Sequence, residues 1–350
     1  MKVVFNAAKR NYMRNGKPDS GGNITECETF FEPYPRSLEI GIMGRCDTGM
    51  SGICINSGIQ CCQDGLHKNE PNMSFRNYKR IIDESAGKTF LVSLGGRGDP
   101  DRHKNFGDML LYTRRKGIVT NYTTSGFYLN SETVQLSKAY CGTVAVSFHN
   151  QYYTYRAVRM LLAARVKTNI HFVLSRNSIN EAVRRLENNG FPEGVNAVVF
   201  LLHKPVGLGS RQNVLEAEDE RIGKFFKIIG WKSFAHKIGF DMCSVPGIIN
   251  FMDPMGRTVV DPCMGARWSA YISPQMEMMP CGFCVDSASW SCGIAEDTIE
   301  NAWRSEPFIR FRSILAKRCP ECSRRRDCLG GCPVKPEIVL CDRKEREHVQ

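Results

Sequence analysis

Sixteen cysteines constrain this 350-residue chain more than any other feature of its sequence. Nine of them fall between Cys263 and Cys341, and four more fall between Cys46 and Cys62. The segment Met1–Arg14 is too polar for a secretory signal, and no apolar run is long enough to span a membrane. We therefore expect a cytoplasmic protein, in which thiols stay reduced and cysteine-rich segments bind metal rather than form disulfides.

From Ser37 to about Ile249, short β-rich apolar runs alternate with helical patterns, which indicates βα units and a parallel sheet. Six strands are predicted, at Leu38–Met43, Thr89–Leu94, Ile118–Thr124, Thr143–Ser147, Thr168–Leu174 and Ala197–Leu202. A further strand is predicted at Lys237–Met242. Helices are predicted at Phe75–Ser85, Phe106–Lys116, Glu132–Ala139, Tyr155–Ala164 and Asn180–Asn188.

The helix ends carry recognisable signals. Ser131 is predicted to be an N-cap, and Gly117 and Gly190 are predicted to end two other helices. The whole pattern favours an open, partial (β/α)6 barrel over a doubly wound sheet. Either arrangement places the active site at the carboxyl ends of the strands.

The alternation fades after Asn250, so the chain is predicted to contain a second, cysteine-rich module. Thr298–Leu315 is predicted to form one amphipathic helix within it. The predicted organisation is an N-terminal extension (1–36), a barrel (37–249), a cysteine-rich domain (250–341) and a charged tail (342–350).

The densest cysteine run has the spacing C-x2-C-x5-C-x3-C and is followed by one more cysteine. Its members are Cys319, Cys322, Cys328, Cys332 and Cys341. Such spacing lets one loop offer several thiolates to one inorganic core, which the backbone approaches closely at Gly330 and Gly331. A zinc knuckle is the alternative, but zinc needs only four ligands. Together with Cys243, Cys263 and Cys281 upstream, the run suits two four-thiolate iron-sulfur sites better.

This run resembles the SPASM domain, the auxiliary-cluster module of many radical S-adenosylmethionine (radical SAM) enzymes. The resemblance implies two auxiliary [4Fe-4S] clusters. The distal cluster would be held by Cys319, Cys322, Cys328 and Cys341. The proximal cluster would be held by Cys263, Cys281 and Cys332, with Cys243 as the fourth ligand. Met276 stands where the family has glycine, and Cys284 and Cys292 have no family counterpart and are expected to be free buried thiols.

The first predicted strand runs into a loop that contains Cys46, Cys54 and Cys61. A three-cysteine loop in this place resembles the radical SAM loop, which implies a catalytic [4Fe-4S] cluster with one open iron for S-adenosylmethionine. The spacing here is C-x7-C-x6-C rather than the family's C-x3-C-x2-C. Longer loops close at little extra entropic cost, so ligation is still expected. A small zinc loop or scattered buried thiols are the alternatives.

The resemblance extends to the predicted S-adenosylmethionine site. Gly95 and Gly96 follow the second strand and resemble the family's Gly-Gly-Glu-Pro motif, with Arg97 in place of the glutamate. Asn121 resembles the family's Thr-Asn-Gly region, and Ser147 ends a strand where the family often has a serine. These four residues, the two glycines, Asn121 and Ser147, are the predicted cofactor-binding residues, and no catalytic side chain beyond the cluster ligands is predicted.

The formal net charge of +11 raises the question of nucleic acid. Each four-thiolate [4Fe-4S] cluster carries about −2, so the predicted clusters would cancel roughly five units of this charge. Nucleic acid is therefore not expected as a partner, and neither is a membrane.

The resemblance implies reductive cleavage of S-adenosylmethionine to a 5′-deoxyadenosyl radical, which abstracts hydrogen from a substrate. Family members with this module commonly modify peptides or proteins, so a ribosomal-peptide maturase or a residue-oxidising or crosslinking enzyme is the leading expectation. A flavodoxin- or ferredoxin-type electron donor is implied as well. The alternatives are a dehydrogenase or isomerase of a small metabolite and, in another class, a non-catalytic iron-sulfur or zinc-binding adaptor.

Overall fold

One mixed sheet organises the computed structural model, which describes residues 2–4, 30–252 and 261–341. Its strands are β1 (Lys2–Val4), β2 (Ser37–Gly41), β3 (Leu91–Gly95), β4 (Val119–Thr124), β5 (Cys141–Ser147), β6 (Thr168–Leu174), β7 (Ala197–Leu202), β8 (Lys237–Asp241), β9 (Ser269–Ile272), β10 (Glu277–Met279) and β11 (Cys292–Gly293). The predicted charged tail, 342–350, lies outside the described residues.

The spatial order of the strands is β1-β8-β7-β6-β5-β4-β3-β2-β9-β10-β11. Strands β2 to β8 are parallel and follow the chain order, so each connection crosses over through helical or loop segments on the outside. The six predicted strands and the seventh are therefore confirmed, and the α/β class with them. β1 adds an antiparallel strand to the outer edge of β8.

The helices are α1 (Asp47–Met50), α2 (Ile53–Asn56), α3 (Phe75–Ser85), α4 (Phe106–Arg115), α5 (Ser131–Tyr140), α6 (Gln151–Ala163), α7 (Ile179–Glu187), α8 (Glu220–Trp231), α9 (Val245–Ile248), α10 (Ile299–Trp303), α11 (Glu306–Lys317) and α12 (Arg325–Cys328). Gly117 lies just beyond α4 with a positive φ of 76°, as predicted for a helix stop.

Three helix predictions need correction. The N-cap of α5 is Asn130 rather than Ser131, because the Asn130 side chain accepts the Thr133 N–H at 2.9 Å. The residue with positive φ after α7 is Asn189 rather than Gly190. The single helix predicted at Thr298–Leu315 is two helices, since Pro307 cannot continue an existing helix and instead lies in the first turn of α11.

Alternate side chains of the barrel strands face opposite sides. On the outer side, Tyr122 of β4 bonds Ser137 of α5 at 2.8 Å, and the Phe200 ring of β7 lies 4.9 Å from the Phe225 ring of α8. The alternate residues of these strands face the barrel interior, as Asn121 does on β4. The interior therefore contains polar groups, whereas the apolar core lies between the sheet and its helices.

The cysteine-rich segment continues the same sheet. β9 pairs in parallel with β2 over four residues, from Ser37–Ser269 to Ile40–Ile272. Trp303 is fully buried, and its indole N–H donates to the Glu32 carbonyl at 2.8 Å. The first barrel strand thus has a neighbour from the C-terminal segment, while the division into domains at residue 250 stays a prediction.

Substituting Phe200→Ala should lower the free energy of unfolding by about 3–5 kcal/mol, because the ring is fully buried among other aromatic rings and its loss leaves a cavity. Chemical denaturation measures this. Ile309→Ala is the matched control, since Ile309 is 56% exposed and its truncation should change stability by no more than about 0.5 kcal/mol. Equal effects of the two substitutions would contradict the assigned core.

Candidate active site

The loop after β2 gathers the three cysteines predicted to hold the catalytic cluster. Cys46 is the N-cap of α1 and accepts the Gly49 N–H at 3.1 Å, and Cys54 is buried in α2. A Cβ atom at Gly65 would lie 3.4 Å from the Cys46 sulfur and 3.6 Å from the Cys61 sulfur. The thiols of Cys46 and Cys61 both raise the pKa of Cys54, so all three sulfurs lie near one another. We call these three residues the loop group.

Burial opposes ionisation of the Cys46 and Cys54 thiols. It raises the pKa of Cys46 to about 11 and that of Cys54 to about 12, and the neighbouring thiols add to the effect. Neutral thiols are poor metal ligands, so iron would have to displace their protons. Cys46 and Cys54 are thus soft sulfur donors whose ionisation a bound cation would favour.

Arg97 holds the two ends of this loop together. The side chain is 7% exposed. Its Nε donates to the Gln63 carbonyl at 3.0 Å, and its Nη1 donates to the Gly44 carbonyl and to the Glu70 carboxylate, both at 2.8 Å. The planar guanidinium can bridge both carbonyls at once, which a lysine cannot do in the same way.

Asp99 fixes the middle of the loop to the next strand. It is 8% exposed and accepts three hydrogen bonds, from the Ser125 N–H and hydroxyl at 2.6 Å and from the Thr48 hydroxyl at 2.9 Å. Gly98 lies between these two side chains with a φ of +68°, and a Cβ there would stand 2.5 Å from the Arg45 carbonyl. The turn after β3 therefore packs directly on the loop group. Sequence reasoning assigned no role to Arg97 or Asp99.

The predicted cofactor-binding residues occupy two levels of the barrel. Gly95 and Ser147 are the last residues of β3 and β5, and Gly96 follows with a φ of +85°. Asn121 lies deeper, within β4, where it pairs with Ser93. Its Oδ1 is buried without a hydrogen-bond partner among the described residues. The structure thus places these residues at or below the carboxyl edge, and their contacts with a cofactor stay a prediction.

Tyr271 was not singled out from the sequence, although it brings the C-terminal segment into this site. It lies on β9 opposite Glu39 of β2. Its hydroxyl fills the space where Cβ atoms would be at Gly41 and Gly96, at 2.4 and 2.7 Å from those positions. Glycine is therefore required at both strand ends for this close approach.

A second set of cysteines lines one cavity between the sheet and the C-terminal segment. The set consists of Cys243, Cys263, Cys281 and Cys332, and we call it the proximal group. Burial raises the pKa of Cys263 to about 11, and the Cys332 thiol adds to this effect. Cys284, which was expected to be a free buried thiol, is 1% exposed and is an electrostatic neighbour of Cys263 and Cys332.

A third set surrounds Cys328. Burial raises the pKa of Cys328 to about 11, and the thiols of Cys322, Cys319 and Cys341 contribute in the same direction. We call these four residues the distal group. The chain folds back there through Leu329, Gly330 and Gly331, all of which have positive φ. Cys328 also lines the cavity of the proximal group, and Cys284 lies near it, so the ligand scheme implied by the resemblance stays a prediction.

Within residues 30–252 and 261–341, no three His, Cys, Asp or Glu side chains are arranged so as to hold a single metal ion. In a cubane cluster each thiolate binds a different iron, so its ligands stand further apart than those of one ion. Outside the three groups, Cys292 contacts the Ser305 hydroxyl at 2.7 Å. Cys62 is partly buried near Lys204 and Glu39.

No protein-family model and no curated protein matches the sequence. Solved structures match the fold. SuiB from Streptococcus suis bound to S-adenosylmethionine is 16% identical with a TM-score of 0.67, and the match covers 89% of this chain and 78% of SuiB. This chain has the fold of radical SAM enzymes with a SPASM-type module.

Two other matches contain peptides. SuiB bound to its precursor peptide SuiA is 15% identical, with a TM-score of 0.67 and coverage of 89% of this chain and 77% of SuiB. The enzyme anSMEcpe with bound AdoMet and the Cp18Cys peptide is 16% identical, with a TM-score of 0.60 and coverage of 85% of this chain and 89% of the other. Among the residues that the structure describes, no helix is long and apolar enough to cross a membrane.

Substituting Arg97→Met should loosen the loop between Gly44 and Gln63, because each buried hydrogen bond from a charged donor contributes about 1.5–3 kcal/mol. Hydrogen exchange of the loop amides is expected to accelerate by at least about tenfold. Arg97→Lys should give an intermediate rate, since it keeps the charge but not the bridge.

The control for this experiment is Arg185→Met. Arg185 is equally buried and also bonds a backbone carbonyl and a glutamate, but it lies in α7. Its loss should leave exchange in the loop unchanged. Unaltered exchange in Arg97→Met would contradict the bridging role.

Proposed function

We propose that this protein is a radical SAM enzyme that modifies a peptide or protein substrate. The observation that carries the proposal is the loop group, three neighbouring thiols, two of them buried, directly after β2 of a radical SAM fold. Parallel α/β folds hold their chemistry at this carboxyl edge.

The donor sets fit the implied clusters. The loop group offers three soft sulfur donors, which leaves one iron of a cubane open, whereas the proximal and distal groups each offer four. When bound, a catalytic [4Fe-4S] cluster with S-adenosylmethionine supplies one-electron cleavage of a carbon-sulfur bond and a 5′-deoxyadenosyl radical. Two four-thiolate clusters in the C-terminal segment would be auxiliary.

The residues of the chain itself position and shield this chemistry. Arg97 and Asp99 hold the cysteine loop against the turn after β3. Gly95 and Gly96 make room for the Glu39 carboxylate and the Tyr271 hydroxyl, and the main-chain groups of this turn would meet the methionine end of S-adenosylmethionine. The polar barrel interior, with Asn121 and Glu39, is the place for the substrate.

A peptide substrate is favoured over a small metabolite because structures with the same fold contain peptides, SuiA in SuiB and Cp18Cys in anSMEcpe. The auxiliary clusters would accept the electron left on the substrate or bind a substrate thiolate. A flavodoxin- or ferredoxin-type protein would deliver the electron that starts the reaction.

Replacing all three cysteines of the loop group by alanine should abolish formation of 5′-deoxyadenosine, because no open iron remains to bind S-adenosylmethionine. Anaerobic iron and sulfide analysis of the reconstituted protein should show a loss of roughly four irons from about twelve per chain. Chromatography of the nucleoside product after chemical reduction measures the activity.

Cys141→Ala is the matched control, since Cys141 is a cysteine of β5 outside all three groups. It should keep both the iron and the product. Retention of reductive cleavage in the triple variant would remove the proposed active site, and stoichiometric zinc with little iron would replace the enzyme by a zinc-binding adaptor.

A candidate precursor peptide encoded beside the gene should increase 5′-deoxyadenosine formation and change its own mass. Small metabolites should do neither, because the proposed substrate is a peptide. Mass spectrometry of the peptide and product quantification test both statements. Stimulation by small molecules alone would reassign the protein as a radical dehydrogenase or isomerase of a metabolite.

A further inference from the structure

A buried lysine lines the cavity of the proximal group. Lys204 follows β7 by two residues, and its side chain is only 3% exposed. Burying an ammonium group is costly unless it is paired. Its Nζ contacts the Asp241 carboxylate and lies 4.6 Å from the centroid of the Phe283 ring.

Asp241 holds this ammonium in place. Its Oδ2 also accepts the Leu202 N–H at 3.1 Å, and its Oδ1 accepts the Ser244 hydroxyl at 2.8 Å. The carboxylate thus ties the ends of β7 and β8 to the turn that carries Cys243. The ammonium is fixed relative to that cysteine.

The lysine side chain lines the same cavity as the whole proximal group, together with Cys328 of the distal group. Its positive charge favours the ionised thiols of Cys243 and Cys332 and that of Cys62 in the cysteine loop. Asp241 acts on Cys243 as well, but after Lys204 in size. The proximal group thus shares its cavity with the ammonium group of this ion pair.

A buried ion pair is a poor source of stability, because an apolar pair of similar volume is often as stable or more so. A four-thiolate [4Fe-4S] cluster, in contrast, carries a net negative charge, and a nearby fixed cation favours its reduced form over its oxidised form. We propose that Lys204 is a positioning residue that acts as counter-charge to a cluster in the proximal group and raises its reduction potential. This inference rests on the proposed function.

Other cations approach the proximal group from different sides. The Arg318 guanidinium donates to the Cys332 carbonyl at 2.6 Å, and Lys335 is an electrostatic neighbour of Cys284. These side chains are partly exposed, so water screens their charge more than that of Lys204. The Lys204 ammonium is almost completely shielded from water, so its removal should change the reduction potential more than removal of either of these cations.

The test is a redox titration followed by electron paramagnetic resonance, in the full chain with the loop group replaced by alanine so that only auxiliary clusters contribute. Lys204→Met should lower the midpoint potential of the proximal signal by about 59 mV. For a one-electron couple this is about a tenfold change in the ratio of reduced to oxidised cluster at a given potential. The proximal signal is the one that Cys281→Ala removes. Lys204→Met combined with Asp241→Asn should also lower it, which excludes an effect of the unpaired carboxylate alone.

Lys204→Arg keeps the charge and should restore the potential to within about twofold in that ratio, or roughly 18 mV. Arg185→Met, which removes a buried paired cation in α7, should leave it unchanged. An unchanged potential in Lys204→Met at full iron content would overturn the inference alone, as would equal loss of iron in the Met and Arg variants. A protein that binds no iron in this background would overturn the proposed function and this inference together.

Discussion

The contact between the turn after β3 and the cysteine loop is the interaction on which the rest of the site depends. A loop with long gaps between its cysteines has many conformations, and bringing three thiols together in it costs conformational entropy. The Arg97 guanidinium donates hydrogen bonds to this loop, and the Asp99 carboxylate accepts one from it. Both side chains are buried at the strand edge. The arginine in the glycine-rich turn thus holds in place a loop whose cysteines are far apart in sequence.

Most of the barrel could be predicted from the sequence because its parallel strands are buried and their apolar runs are continuous. The ranges Thr168–Leu174 and Ala197–Leu202 agree with the structure to the residue. Local competition caused the errors. Asn130 and Ser131 are both good caps, and only the fold decides which backbone N–H each one reaches. The sequence pattern predicts one helix that contains Pro307, whereas Pro307 lies in the first turn of a second helix.

The candidate site was predictable only where its residues are close in sequence or share a chemistry. Cysteines are recognisable from the sequence alone, but their order along the chain does not divide them into groups, since Cys332 of the proximal group lies between Cys328 and Cys341 of the distal group. Arg97, Lys204 and Tyr271 carry no such signal, because each acts on a partner far away in the sequence. The β9–β2 pairing that brings Tyr271 beside Glu39 is a long-range contact that no local pattern specifies.

That pairing also has a consequence for how the protein is made. β2 emerges from the ribosome early, but β9, its neighbour on one side, is synthesised much later. At usual rates of translation, roughly 10–50 s pass between the synthesis of β2 and that of β9, and this edge of β2 is unpaired during that time. Exposed strand edges recruit strands from other chains, so a nascent chain that pauses or stops before β9 is an aggregation hazard at the very strand that leads into the cysteine loop.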